Sequence, residues 1–165
     1  MIVFTWRAEL LRYDYPMDTK KLILENIDKS LHLSLATSHE NKPWVSEVHF
    51  AYDDNFNLYW RSLPSTRHSK EITANPNVAG NIVKQHRLED SVVGLYFEGT
   101  AKVLGPGPEL DDAFKALSGR IGVTEADLEE AKQPEGHRFY KITVENWYIF
   151  GKFDETGARK HKLAR

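Results

Sequence analysis

The apolar positions along the chain change their period several times, and each change predicts an element. Leu22, Ile23, Asn26 and Ile27 share one helical face with lysines opposite, and Asp18 or Thr19 stands where a cap belongs, which predicts a helix over 20–29. The period then falls to two. Leu31, Leu33 and Leu35 alternate with His32, Ser34 and Ala36, the pattern of a half-buried strand. Residues 38–42 are polar and turn-like, and Pro43 can open the next strand at its edge. Over 44–52 two faces separate, with Trp44, Ser46, Val48, Phe50 and Tyr52 on one and Val45, Glu47, His49 and Ala51 on the other. Asp53-Asp54-Asn55 predicts a hairpin turn into a strand over 58–61.

A loop containing Pro64 leads to a helix over 67–74, which Asn75-Pro76-Asn77 stops because the residue before proline is pushed out of the helical region. A strand over 78–84 and a polar crossing over 85–90 follow. The next strand, 91–104, is interrupted by Gly94 and Gly99, which mark bends or bulges. After the turn Gly105-Pro106-Gly107-Pro108 come a helix over 109–117 and, from the capping-box-like Thr124-Glu125-Ala126-Asp127, a short one to 132. Strand character returns over 138–149, and the charged tail from Asp154 is expected to be loose. Many short strands with few helices predict a mainly β fold, a closed or nearly closed β-barrel with peripheral helices. The expected division is an N-terminal extension over 1–16, one domain over 17–153 and a tail over 154–165.

Composition narrows the chemistry. Of 165 residues, 41% are hydrophobic and 28% charged, the balance of an ordinary folded domain. A net charge of −2 gives no general pull toward nucleic acid or an anionic membrane, so an anion site needs a local cluster of cations. Cysteine is absent, which excludes disulfides, thiolate nucleophiles and cysteine-ligated metal and is compatible with a reducing cytosol. Residues 1–15 mix apolar residues with Arg7, Glu9, Arg12 and Asp14, unlike a signal peptide, and Met17 is an alternative start. No stretch approaches the roughly 18 apolar residues of a membrane span. A cytoplasmic protein without nucleic-acid or membrane partners is expected, with Arg159, Lys160, Lys162 and Arg165 solvated.

The densest chemistry lies between Trp60 and Lys70. A strand ends, a loop turns and a helix begins, among Arg61, Ser65, Thr66, Arg67, His68, Ser69 and Lys70. A helix N-terminus offers free N–H groups and a positive dipole end to a phosphate; hydroxyls and a two-pronged arginine add to it, with His68 and Lys70 as further positive partners. The plain alternative is that Ser65 or Thr66 caps a surface helix among solvated cations. The strand Val45, Ser46, Glu47, Val48, His49 and Phe50 can bond the polar edge of a flavin ring through its backbone, or simply serve the core, as can Trp44 and Trp60. Seven histidines show no ligand spacing, so no metal is expected, and the nucleophile-elbow, Walker and dinucleotide glycine motifs are absent.

Taken in order, Leu35-Ala36-Thr37, Pro43-x-Val45-Ser46-x-Val48-x-Phe50, Leu58-Tyr59-Trp60, Arg67-His68-Ser69, Asn75-Pro76-x-Val78-Ala79 and Glu98-Gly99-Thr100-Ala101 resemble the pyridoxamine 5′-phosphate oxidase-like FMN-binding proteins. The resemblance runs from about residue 31 to 104 and continues more weakly to 149. It implies an FMN-binding split barrel that forms a homodimer, with cofactor sites shared across the subunit interface. It further implies that residues 45–50 line the isoalloxazine ring, that Trp60 and Arg61 lie beside it, and that Arg67 and His68 hold the phosphate. Ser65 or Thr66 would add a hydroxyl, and Trp147 is the candidate for a contact borrowed from the second subunit. Relatives use deazaflavin or bind haem. The chain departs from the true oxidases at Val45 and Phe50, where they have basic residues, and at 151–165, which does not reproduce their substrate-gripping segment; both speak against pyridoxamine phosphate as substrate. Two classes remain: an oxidoreductase using FMN with a small-molecule substrate or nicotinamide donor, and a non-catalytic flavin, deazaflavin or haem binder. No side chain need act as a catalytic base in the first; Glu47, His49 and Arg61 are candidates to reach its pocket.

Overall fold

The computed structural model describes residues 18–83, 87, 89–90, 92–153 and 157–164, the side chain of Arg159 excepted. The proposed extension over 1–16 and the Met17 start lie outside the described residues. Helix α1 (Thr19–Ile27) begins at Asp18, whose carboxylate accepts from the Lys21 N–H at 3.0 Å, and buries Ile23 and Ile27. Strands β1 (His32–His39) and β2 (Lys42–His49) form a hairpin. The polar stretch expected to be a five-residue turn is shorter. Glu40 and Asn41 alone take the left-handed conformation, the two-residue turn whose twist suits paired strands, so both strands extend to meet it.

The strand expected over 44–52 is divided. After β2, Phe50 donates its N–H to the Leu31 carbonyl at 3.2 Å, and β3 (Ala51–Tyr52) pairs instead with β4 (Leu58–Ser62). Helix α2 (Arg67–Ala74), β5 (Asn77–Val83), β6 (Gly94–Val103), α3 (Pro108–Ile121), α4 (Glu125–Glu130), β7 (Arg138–Lys152) and β8 (Ala158–Ala164) complete the order. The antiparallel sheet runs β2-β1-β5-β6-β7-β4-β3, so its two end strands are consecutive in the chain. The segment β2–β3 thus crosses from one edge of the sheet to the other and curls it into a split barrel, mainly β with peripheral helices. Gly99 sits at the bulge between Glu98 and Gly99, where a Cβ would lie 2.2 Å from the Thr143 carbonyl oxygen; only glycine fits that close approach.

The barrel interior holds Leu33, Leu35, Phe50, Leu58, Phe97 and Ile142, with α1 closing it through Ile23 and Ile27. A second cluster, around Tyr59, Leu117 and Phe139, lies under α3. The charged tail is the main departure from expectation. Residues 158–164 form β8, paired with β7 from Asn146↔Ala164 to Lys152↔Ala158. β7 is 15 residues long and gives its first part to β4 and its last to β8. No helix among the described residues is long and apolar enough to cross a membrane.

Candidate functional site

Between β2 and β4 the barrel is split. β2 has β1 on one side and, among the described residues, no strand on the other. A cleft of about 560 Å³ opens there. Its walls are Glu47, Val48 and His49 of β2, Arg61 and Ser62 of β4, and His68 of α2. The far wall comes from residues 121–123, Asp127 and His137. Of the residues expected from sequence, the cleft therefore unites Glu47, Val48, His49, Arg61 and His68.

The start of α2 fixes one end. Thr66 is its N-cap in extended geometry, yet its side chain makes no cap hydrogen bond to the first-turn N–H groups. The Thr66 hydroxyl instead donates to the Leu63 carbonyl at 2.9 Å and lies 2.9 Å from Ser69 Oγ. His68 is turned into a ring of hydroxyls, its Nε2 2.8 Å from Ser62 Oγ and its Nδ1 3.1 Å from Ser46 Oγ. Burial pushes this imidazole below the ordinary histidine range, against the opposing pull of Glu71. The expectation of a positive His68 is corrected on that ground: desolvation favours the neutral ring. Ser65 is exposed at the turn. Arg67 points away from the cleft. Its Nε donates to Glu71 at 2.7 Å and its guanidinium lies over the Trp44 ring at 4.3 Å, while its Nη atoms carry no hydrogen bond among the described residues. Glu71, itself buried, also accepts from Thr37 at 2.5 Å.

Three expected contacts belong to the core instead. Trp60 is fully buried and stacks on Tyr140 at 4.9 Å. Trp147 is fully buried beside Phe97 and Phe56, so its ring cannot serve a second subunit. Phe50 is fully buried and has spent its N–H on Leu31. Strand alternation explains Trp60 and Trp147, which point inward from β4 and β7, whereas Phe50 is buried at the junction between β2 and β3. Val45 faces outward and is 57% exposed. Glu47 is also exposed, accepts from Ser34, and lines a second hollow of about 690 Å³ outside β1, β2 and β5.

The far wall was not foreseen. Arg61 donates to Asp127 Oδ1 at 2.5 Å and to Glu130 Oε2 at 2.8 Å, which ties α4 down across the cleft mouth. Its buried Nε has no partner among the described residues. The Thr124 N–H and hydroxyl both donate to Asp127 Oδ2 at 2.7 Å, and with Arg61 they hold that carboxyl at about 2. Hydrogen bonds from His137, then from Arg61, hold Glu130 at about 2 as well. The Thr124–Asp127 spacing announced α4, but no local signal says that α4 would return over β4.

The family model described as Pyridoxamine 5′-phosphate oxidase matches residues 19–151. UPF0306 protein PM1958 of Pasteurella multocida (strain Pm70) is 28% identical over 85 residues, which are 51% of this chain and 57% of that protein. The chain thus spans little more than half the length of that curated relative. Among solved structures, a heme binding protein from Mycobacterium smegmatis superposes with a TM-score of 0.67 at 17% identity, over 84% of this chain and 55% of that one. A FAD-binding protein from Mesorhizobium loti does so with a TM-score of 0.60 at 21% identity, over 79% and 91%. At these identities the likeness is one of fold.

Proposed function

The chain belongs to the pyridoxamine 5′-phosphate oxidase family, and from that footing we propose that it is an FMN-binding oxidoreductase, cytoplasmic and homodimeric, acting on a small molecule or a nicotinamide donor. The observation that carries this reading is the uncapped start of α2 beside a cleft whose other wall is a free strand edge. The donor set fits a flavin mononucleotide. N–H groups of the first helical turn that the Thr66 side chain leaves uncapped, the Ser65 hydroxyl and the Nη atoms of Arg67, unbonded among the described residues, suit a phosphate, while the Thr66 hydroxyl is spent on Leu63. The outer edge of β2 from Val45 to His49 suits the polar rim of the ring. Bound there, the flavin supplies the electron or hydride transfer. The protein orients the ring, excludes water from one face, and offers a neutral His68 held by Ser46 and Ser62.

The homodimer is supported by the outer sheet face. Val45, Val83 and Tyr96 are exposed there, and Glu47 belongs both to this face and to the cleft. A second copy seated on it would cover the apolar side chains and close the flavin site. Val45→Glu is expected to shift the protein toward monomer in sedimentation velocity and to weaken FMN binding with it.

A haem-binding reading has one observation of its own: His49, His68 and His137 all line the cleft. It is the weaker one, because both nitrogens of His68 are taken by hydroxyls and Nδ1 of His137 faces Glu130. The visible spectrum of purified protein separates the two. Flavin bands that bleach with NADH or NADPH are the expected result. A stable Soret band would transfer the site to haem, and colourless protein that ignores added FMN would end the flavin reading.

A further inference from the structure

The charge arrangement in the cleft bears on what can sit beside the flavin. Among the described residues that line it, Arg61 is the one lysine or arginine. Its guanidinium is already committed: Nη1 to Asp127, and Nη2 to Glu130 at 2.8 Å and to the Asp127 carbonyl at 3.4 Å. The side chain is only 15% exposed, so it cannot swing out to meet an incoming anion without releasing α4. Against this one cation stand the carboxylates of Asp127 and Glu130 and that of Glu47 on the facing strand. Burial disfavours a charge on His68, and His137 turns its Nδ1 toward Glu130 at 2.7 Å. The proposed phosphate donors Ser65 and Arg67 are not among the residues that line the cleft.

We infer that the substrate face of this cleft selects molecules that present a neutral or cationic group to the flavin ring and rejects those that present an anionic one, and that Asp127 and Glu130 set this selection by neutralising Arg61. The inference rests on the flavin reading for the location of the substrate face. In energetic terms, an anion entering here meets Glu47 and Asp127 in the lining and an arginine that must break its ion pairs to Asp127 and Glu130 before it can help. Glu47 and Glu130 act as specificity determinants; Asp127 does so while also starting α4. Removing the two α4 charges should do more than weaken the preference. It frees the Arg61 fork and turns the same wall into an anion receptor.

A charge series on one ring tests this: 1-methylnicotinamide (cationic), nicotinamide (neutral) and nicotinate (anionic), each dialysed to equilibrium against FMN-loaded and FMN-free protein. Wild type is expected to bind the cation at least about fivefold more tightly than the anion, with the gap shrinking in high salt. Glu47→Gln should narrow the gap. Asp127→Asn with Glu130→Gln should reverse the order. Because Asp127 also holds the start of α4, Glu130→Gln alone, which leaves the Thr124–Asp127 bonds intact, serves as the second variant and should raise nicotinate affinity by about threefold. Nicotinate binding wild type as well as 1-methylnicotinamide does would overturn the inference, and so would no measurable binding of the cation at tens of millimolar. Failure of FMN itself to bind would instead overturn the flavin reading; the charge order on FMN-free protein would still decide this one.

Discussion

At the start of α2 the Thr66 side chain leaves the helix uncapped and the arginine beside it keeps its Nη atoms unbonded among the described residues, whereas at the start of α4 Thr124 and Asp127 bond one another and Asp127 takes the Arg61 guanidinium as well. Both regions border one cleft, and both combine a helix start with an arginine. The first leaves donors free and so can receive a ligand. The second uses its charges on itself and so builds a wall. Similar residue types therefore predict opposite behaviour on mutation: loss of ligand affinity at α2, loss of stability at α4.

The largest effect is expected at the wall. Arg61→Met strands Asp127 and Glu130 and should cost about 2 kcal/mol in urea unfolding, since breaking a largely buried ion pair leaves uncompensated charge. A loss below about 0.5 kcal/mol would mean that α4 is held by packing alone. At the other end, Arg67→Ala should raise the FMN dissociation constant by about tenfold while changing stability less than the Arg61 variant does. Equal losses of stability would erase the contrast.

The pH response sharpens the same comparison. His68 has a folded pKa below its ordinary value because burial disfavours the charged ring. The unfolded chain therefore binds the extra proton first as pH falls. The stability owed to neutral His68 is full above about 6.5 and is lost as pH falls through the depressed folded value. His68→Asn should flatten the dependence of unfolding free energy on pH in that window. An unchanged slope would mean that the ring titrates freely. The smallest effect is expected from Thr124→Ala, about 1 kcal/mol or less, through loss of the hydroxyl bond to Asp127.

Much of the barrel was legible because strand alternation is local. Leu33 and Leu35 of β1 and Phe97 of β6 face inward as their period requires. Closure was not legible, since it depends on the chain changing partner at Phe50, from β1 to β4, and both sides of that change look alike in sequence. β8 escaped notice because Lys160-His161-Lys162 carries no apolar alternation; its lysines lie over the rings of Tyr96 and Tyr148, so their charge hides a packed face. At the site, the hydroxyl and cation cluster from Ser65 to Lys70 correctly marked a helix start next to the cleft. Its finer reading needed three dimensions: Arg67 turns outward, burial disfavours a charge on His68, and Trp60 and Trp147 are core. The α4 wall had no sequence signal, because Arg61 and Asp127 are 66 residues apart and meet only once α3 has folded back.

The central claim is that the cleft and the start of α2 together hold a flavin by its phosphate. Parallel titrations of FMN and riboflavin into flavin-free protein, followed by quenching of flavin fluorescence, test it directly. The two ligands share the ring and differ at the phosphate. FMN binding at least about tenfold more tightly than riboflavin is the predicted result. Equal affinities, or no binding of either, would contradict it.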